Sequence, residues 1–187
     1  TNGLCLLDPA ASIILYYDEM ITAGADVIVV LSHNGWSDGG YGYGFTVYGD
    51  ATLASKLNTA GKPANLIIGG HSHTDVGGPA PAPSAPVIVG STTVVQSSYN
   101  GRALGRANIT YNPTANPKVT ITWNRIAPSP NGTADATIAA LIATYTSDPD
   151  YRAIVDAPIG YTQVDLKRDY NGDDMMGAFL QDALYNE

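Results

Sequence analysis

The chain has three histidines, and each sits just past an apolar run. His33 follows Asp26-Val27-Ile28-Val29-Val30-Leu31-Ser32, and His71 and His73 follow Leu66-Ile67-Ile68-Gly69-Gly70. A neutral imidazole is the commonest side-chain ligand for a transition metal and titrates near neutral pH. In an open α/β sheet, ligands gather where loops leave the carboxyl ends of the strands, and all three histidines fall at such ends. His71 and His73, two residues apart, are expected to project from one side of an extended segment, within reach of one metal or of two neighbouring ones. Gly35 and Gly69-Gly70 flank the two places and either let the backbone approach a ligand closely or simply turn the chain. The bland alternative makes each histidine a hydrogen-bonded loop residue. Three of three at strand ends favours a metal site.

The elements needed to position these residues read as α/β. Ala10 to Ala23, after Asp8-Pro9, places Ile13, Ile14, Tyr17 and Met20 near helical spacing, with Gly24 to stop it. The run from Asp26 to Leu31 shows no alternation, which predicts a strand buried on both faces. After a Gly/Tyr-rich insert from Gly39 to Gly49, Asp50 to Ala60 predicts a second helix ended by Gly61-Lys62-Pro63, and Asn65 to Gly69 a second strand. Asp75 to Pro86 is a loop by composition. Short strands follow at Val87 to Gly90, Thr93 to Ser97, Leu104 to Tyr111 and Lys118 to Ile126, with turns at Asn100-Gly101 and Asn112-Pro113. Thr133 to Thr146 and Asp173 to Asn186 carry apolar stripes of helical period, Ile138, Leu141, Ile142 and Tyr145 in the first and Met176, Phe179, Leu180, Ala183 and Leu184 in the second. The last stripe either docks on the preceding fold or opens a second domain.

Composition narrows the partners. In 187 residues there are 9 Lys+Arg against 17 Asp+Glu, a net charge of -8, and no basic cluster for the phosphates of a nucleic-acid duplex. With 14% charged and 44% hydrophobic residues the chain is neither disordered nor, lacking an apolar run of about 18, membrane-spanning. Cys5 is alone and reads as a small buried hydrophobe. Scarce lysine and Asn-x-Thr sequons at Asn108 and Asn131 suit an extracellular, periplasmic or cell-surface protein.

Two segments carry a resemblance. Gly24-Ala25-Asp26-Val27-Ile28-Val29-Val30-Leu31-Ser32-His33-Asn34-Gly35 and Ile67-Ile68-Gly69-Gly70-His71-Ser72-His73-Thr74 resemble two motifs of the 5'-nucleotidase family of calcineurin-like binuclear metallophosphoesterases. In the same order, Val94-Val95-Gln96 and Gly101 to Asn108 look like the strand pair that follows, and Ile159-Gly160-Tyr161-Thr162 with Met176 to Leu184 is similar to the start of that family's C-terminal nucleotide-recognition domain. The resemblance implies a four-layer α/β/β/α sandwich with mixed sheets, of which this chain holds half. It implies two divalent ions (Zn, Mn, Fe or Co), with His33 and His71 ligating one and His73 the other, and hydrolysis of a nucleotide or other phosphoester by a metal-activated water. Asn34 and Tyr43 are candidates for substrate contact.

The departures matter as much. With its three histidines assigned, the chain lacks the family's Asp-x-His and Gly-Asn-His motifs, and Gly49-Asp50 and Gly172-Asp173 follow the wrong elements to replace them. The expected organisation is the C-terminal part of a metallophosphoesterase domain in 1–127, a linker helix and connecting segment in 128–172, and the first helix of a truncated nucleotide-recognition domain in 173–187. The N-terminal half would come from the same polypeptide or a separate chain, and this chain alone would be inactive. Two other readings stay open: a non-catalytic extracellular binding or structural module on the same fold, and a related sulfur-ester hydrolase.

Overall fold

A computed structural model describes residues 7–38, 48–129, 132–158, 160–167 and 174–185. Cys5, Tyr43, Asn131 and most of the Gly/Tyr-rich insert lie outside the described residues. The chain divides into two compact units, Thr1–Gly132 and Thr133–Glu187.

In the first unit, α1 (Pro9–Thr22) starts where expected: the Asp8 side chain accepts a hydrogen bond from the Ala11 N–H, and Pro9 occupies the first turn, where its missing N–H costs nothing. β1 (Val29–Leu31), α2 (Asp50–Thr59) and β2 (Leu66–Ile68) follow, then β3 (Val87–Val89) and β4 (Thr92–Val95). They build one mixed sheet in the order β1-β2-β4-β3, with β1, β2 and β4 parallel and β3 antiparallel to β4. Val30, Ile67 and Val94 lie abreast, and with Ala10 of α1 and Leu53, Ala54 and Leu57 of α2 they belong to one core. Both helices therefore cover one face of the sheet. Asn58 ties α2 to the β3–β4 turn, its amide donating to the Val89 carbonyl and to Thr92 Oγ1.

β1 departs from the expectation of a strand buried on both faces. It is three residues long and stands at the sheet edge, where Leu31 is 80% exposed and Val29 is also exposed. An unbroken apolar run reports what a strand can bury, not which neighbours are present to bury it.

β5 (Leu104–Tyr111) and β6 (Val119–Ile126) pair along their whole length as an antiparallel hairpin; burial alternates along all of β6 and through Leu104–Asn108 of β5, as a one-faced ribbon demands, while the rest of β5 is exposed. Three side chains fasten it through four bonds: Trp123 Nε1 to the Val76 carbonyl, Tyr111 Oη to Asp26, and the Arg125 fork to both oxygens of Asp75 at 2.8 and 2.9 Å. The Trp123 indole, pinned by its N–H, lies so close over Gly105 that a Cβ there would overlap the ring.

The second unit holds α3 (Ala136–Thr146), α4 (Pro149–Val155) and α5 (Met175–Tyr185), capped in the first two cases by Asp135 and Asp148. α4 lies in the stretch read from sequence as a connecting segment, and its start carries the helix-start signature Asp148-Pro149. The α3 stripe of Ile138, Leu141, Ile142 and Tyr145 is exposed, as are Phe179, Leu180 and Leu184 of α5.

Replacing Gly105 by Ala is expected to destabilise the first unit by about 1–3 kcal/mol, the usual cost of overpacking. Equilibrium urea unfolding followed by tryptophan fluorescence measures it, and an unchanged midpoint would show that the indole has room to move.

Candidate metal centre

Because β1, β2 and β4 are parallel and in register, Leu31 beside Ile68 beside Val95, the segments after them leave the sheet at the same end. His33, the 69–74 segment and Gln96 are thereby gathered from three distant stretches of sequence. The ladder continues past the strands: Ser32 N–H donates to the Ile68 carbonyl and Gly69 N–H to that of Val95.

His33 and His71 come together, their ring centroids 5.2 Å apart and the planes at 69°. His73 does not join them. Its ring stacks on Tyr99 at 4.4 Å and 16°, and the Arg102 guanidinium lies 4.4 Å from the same Tyr99 ring. The expectation that His71 and His73 share one side of an extended segment is corrected here: their φ angles are +74° and +57°, left-handed backbone that breaks the two-residue alternation. All three imidazoles are exposed. Asn34 is half-buried and its N–H donates to Ser32 Oγ.

The glycines at the second loop are filled by protein. A Cβ at Gly70 would stand 2.6 Å from His33 Nδ1, and one at Gly69 would overlap the Asp50 carboxylate. Gly35, at φ +96°, packs under His71 and Ser72.

Two buried polar side chains, neither among the expected site residues, hold the loops. Gln96 is 1% exposed: its Oε1 accepts from Ser72 Oγ at 2.9 Å and from the Thr74 N–H at 2.5 Å, and its Nε2 donates to the Gly70 carbonyl. Ser72 Oγ also accepts from the Trp36 N–H, joining the His33 loop to the His71 loop. Asp50, at the start of α2, is fully buried; its Oδ1 accepts from Ser32 Oγ at 2.5 Å and its N–H donates to the Gly35 carbonyl. Asp50 Oδ2 has no hydrogen-bond partner among the described residues. Burial pushes the Asp50 carboxyl above the ordinary value of 3.8, against the opposing pull of the Ser32 bond and the nearby His33.

Asp38 closes the insert by accepting from the Gly49 N–H and from Thr52 Oγ1, both at 2.8 Å; the Gly49 N–H, first in importance, and Thr52 hold its carboxyl below the ordinary range. Beside His73 a concavity of about 430 Å³ opens between Trp36, Thr74, Asp75 and the prolines 79, 81 and 83.

His33 and His71 suit a divalent transition metal as two nitrogen ligands. Among the described residues no group of three or more His, Cys, Asp or Glu closes a cage around one. The unpartnered Asp50 oxygen is a buried carboxylate atom lying against Gly69, at the root of the His71 loop.

The chain matches no protein-family model. Among curated proteins it is 30% identical, over 190 residues, to the cell wall protein Lmo0130 of Listeria monocytogenes serovar 1/2a, an alignment covering 89% of this chain. The chain spans only 21% of that relative's length. Among solved structures it is similar to a Staphylococcus aureus protein assigned as a 5'-nucleotidase and crystallised with alpha-ketoglutarate: TM-score 0.51, 18% identity, 76% of this chain and 27% of that one. At that identity the likeness shows the fold, a 5'-nucleotidase-like mixed α/β arrangement. No helix among the described residues is long and apolar enough to cross a membrane.

Two outcomes follow from the buried pair. Gln96→Leu strands the Thr74 N–H and the Gly70 carbonyl, and is expected to cost about 1–3 kcal/mol in urea unfolding, with loss of amide-exchange protection at Thr74; protection unchanged from wild type would refute the clamp. Asp50, with a folded pKa raised above its unfolded value, contributes stability that is present in acid and lost as pH rises through the folded pKa. Asp50→Asn is therefore expected to match or exceed the wild-type melting temperature near neutral pH, the gain shrinking toward about pH 4. A gain that grows on acidification contradicts the assigned direction.

Proposed function

We propose that this chain is the histidine-bearing part of a metal-dependent phosphohydrolase of the 5'-nucleotidase or 2',3'-cyclic nucleotide phosphodiesterase type, displayed at the cell surface or secreted. The observation that supports it best is the meeting of His33 and His71 at the carboxyl ends of parallel strands, where the mixed α/β fold collects ligands. The Listeria relative's cell-wall designation supports the location.

On this reading His33 and His71 ligate one divalent ion and His73 a second, drawn from Zn, Mn, Fe or Co. Bound there, the two cations supply a water of lowered pKa as nucleophile and neutralise charge on the phosphoryl oxygens. The chain's own residues do the holding: Ser32 and Gly70 set the His33 ring, Gln96 fixes the backbone that carries His71 and His73, and the Tyr99 ring keeps His73 in place. Asn34 is offered for substrate contact beside His33, with Tyr43 from the insert, and the concavity at His73 has room for part of a phosphoester's organic group. The remaining ligands, a bridging carboxylate among them, belong to an N-terminal half that completes a four-layer sandwich. Residues 1–127 are the metallophosphoesterase part, 128–172 the connection, and 173–187 the opening helix of a nucleotide-recognition domain.

The 187-residue chain alone is expected to bind metal weakly and to show negligible turnover of nucleotides or p-nitrophenyl phosphate. The longer protein carrying it should hold two divalent ions by elemental analysis, and His71→Ala should abolish its hydrolysis. Full activity of that protein stripped of metal would falsify the proposal, and absence of any hydrolysis with metal bound would favour a non-catalytic surface module.

A further inference from the structure

The buried Asp50 is used by no step above, yet it lies under both histidine loops. Its Oδ1 bonds to Ser32 Oγ, which in turn accepts from the Asn34 N–H, so the two residues flanking His33 hang on this carboxylate. Its backbone N–H holds the Gly35 carbonyl. Its Oδ2 presses on Gly69, at the root of the segment carrying His71, and has no partner among the described residues. Gly70, next in sequence, lies against His33 Nδ1. A buried carboxylate with one oxygen unsatisfied is costly unless a charge or donor compensates it, and natural cores tolerate few. The described charges near it are few: the interaction that reaches it is with His33, whereas Lys56 and Lys62, on and just after its own helix, pair with Asp8 and Asp18.

We propose that Asp50 is a positioning residue and the buried counter-charge of the metal centre: through Ser32 it orients His33, and its free oxygen supplies negative charge beneath a divalent cation held by His33 and His71. This rests on the metal reading of those two histidines. It gives a reason for a carboxylate at a position where an amide would fit the same space at less cost in desolvation. Groups that hold a ligating histidine from behind typically change metal affinity by about 10–100-fold when replaced.

The test uses the 187-residue chain and Zn2+ measured by isothermal titration calorimetry. Asp50→Asn, which keeps the shape and removes the charge, is expected to weaken Zn2+ binding by about tenfold or more while the melting temperature is equal to or above wild type, and Ser32→Ala to weaken it by a smaller factor. A purely structural role would lower melting temperature and affinity together, which overturns the proposal, as does Zn2+ affinity within twofold of wild type in both variants. If the wild-type chain itself binds no Zn2+, even weakly, the pairing of His33 and His71 on one ion fails in this chain and the counter-charge role with it. Positioning is then decided without metal: Asp50→Ala should abolish the nuclear Overhauser contact between the His33 ring and the Gly70 α-protons while leaving those of Ile67 and Val94, and its persistence overturns that half.

Discussion

Three parallel strands that end in one register, Leu31 beside Ile68 beside Val95, oblige the segments after them to leave the sheet at the same end. Strand ends expose backbone donors and acceptors that the ladder no longer satisfies, and buried ones must find partners elsewhere. Gln96 and Asp50 are the partners: one amide takes the carbonyl of Gly70 and the N–H of Thr74, and one carboxylate takes Ser32 while its backbone takes Gly35. The loops that bear the histidines are held by these bonds, and ring contacts then set the imidazoles, His33 against His71 and His73 on Tyr99. A site assembled this way is as rigid as the sheet that carries it, which suits metal ligation, where donor geometry must be set in advance.

That rigidity is obtained at the expense of burial. The core between the sheet and its two helices is small, built from Ala10, Ile28, Leu53, Ala54, Leu57, Ala64, Ile67 and Val94, and two polar side chains share its upper end. Meanwhile Leu31, Ile88 and Leu104 stay open to solvent, as does the α3 stripe. On the proposed reading, the exposed edge of β1 is where the rest of a larger sandwich would bury apolar surface, since a flat apolar edge strand is otherwise an invitation to unwanted pairing.

Much of this was legible in the residues. α1 and α2 announced themselves by period and by punctuation at Asp8-Pro9 and Gly61-Lys62-Pro63, and the hairpin by alternation between two turns. β1's exposure was not legible, because apolarity along a run carries no information about strand order. α4 had a signal in Asp148-Pro149, but seven residues are too few for periodicity to support it. In sequence Asp50 reads as the start of a helix and a poor replacement for a missing motif, and Gln96 as part of a strand pattern. Their roles depend on partners 18 and 26 residues away, Ser32 and Gly70, and contacts of that span are set by the fold rather than by spacing.

The two histidines of the second loop show why spacing misled. Alternation holds only in extended backbone, and a left-handed φ at His71 and again at His73 costs roughly 1–2 kcal/mol at each non-glycine residue. Such strain persists only where surrounding bonds over-determine the conformation. Here Gln96 grips the segment at Gly70, Ser72 and Thr74, before, between and after the two histidines, so each imidazole is aimed by a clamped neighbour on either side. His71 turns toward His33, and His73 onto Tyr99, which is itself set by a turn with Ser98 and Asn100 at positive φ. An extended strand would have placed both rings on one side with nothing to separate them. The strained backbone divides them, and a pair of positions two residues apart serves two places in the site.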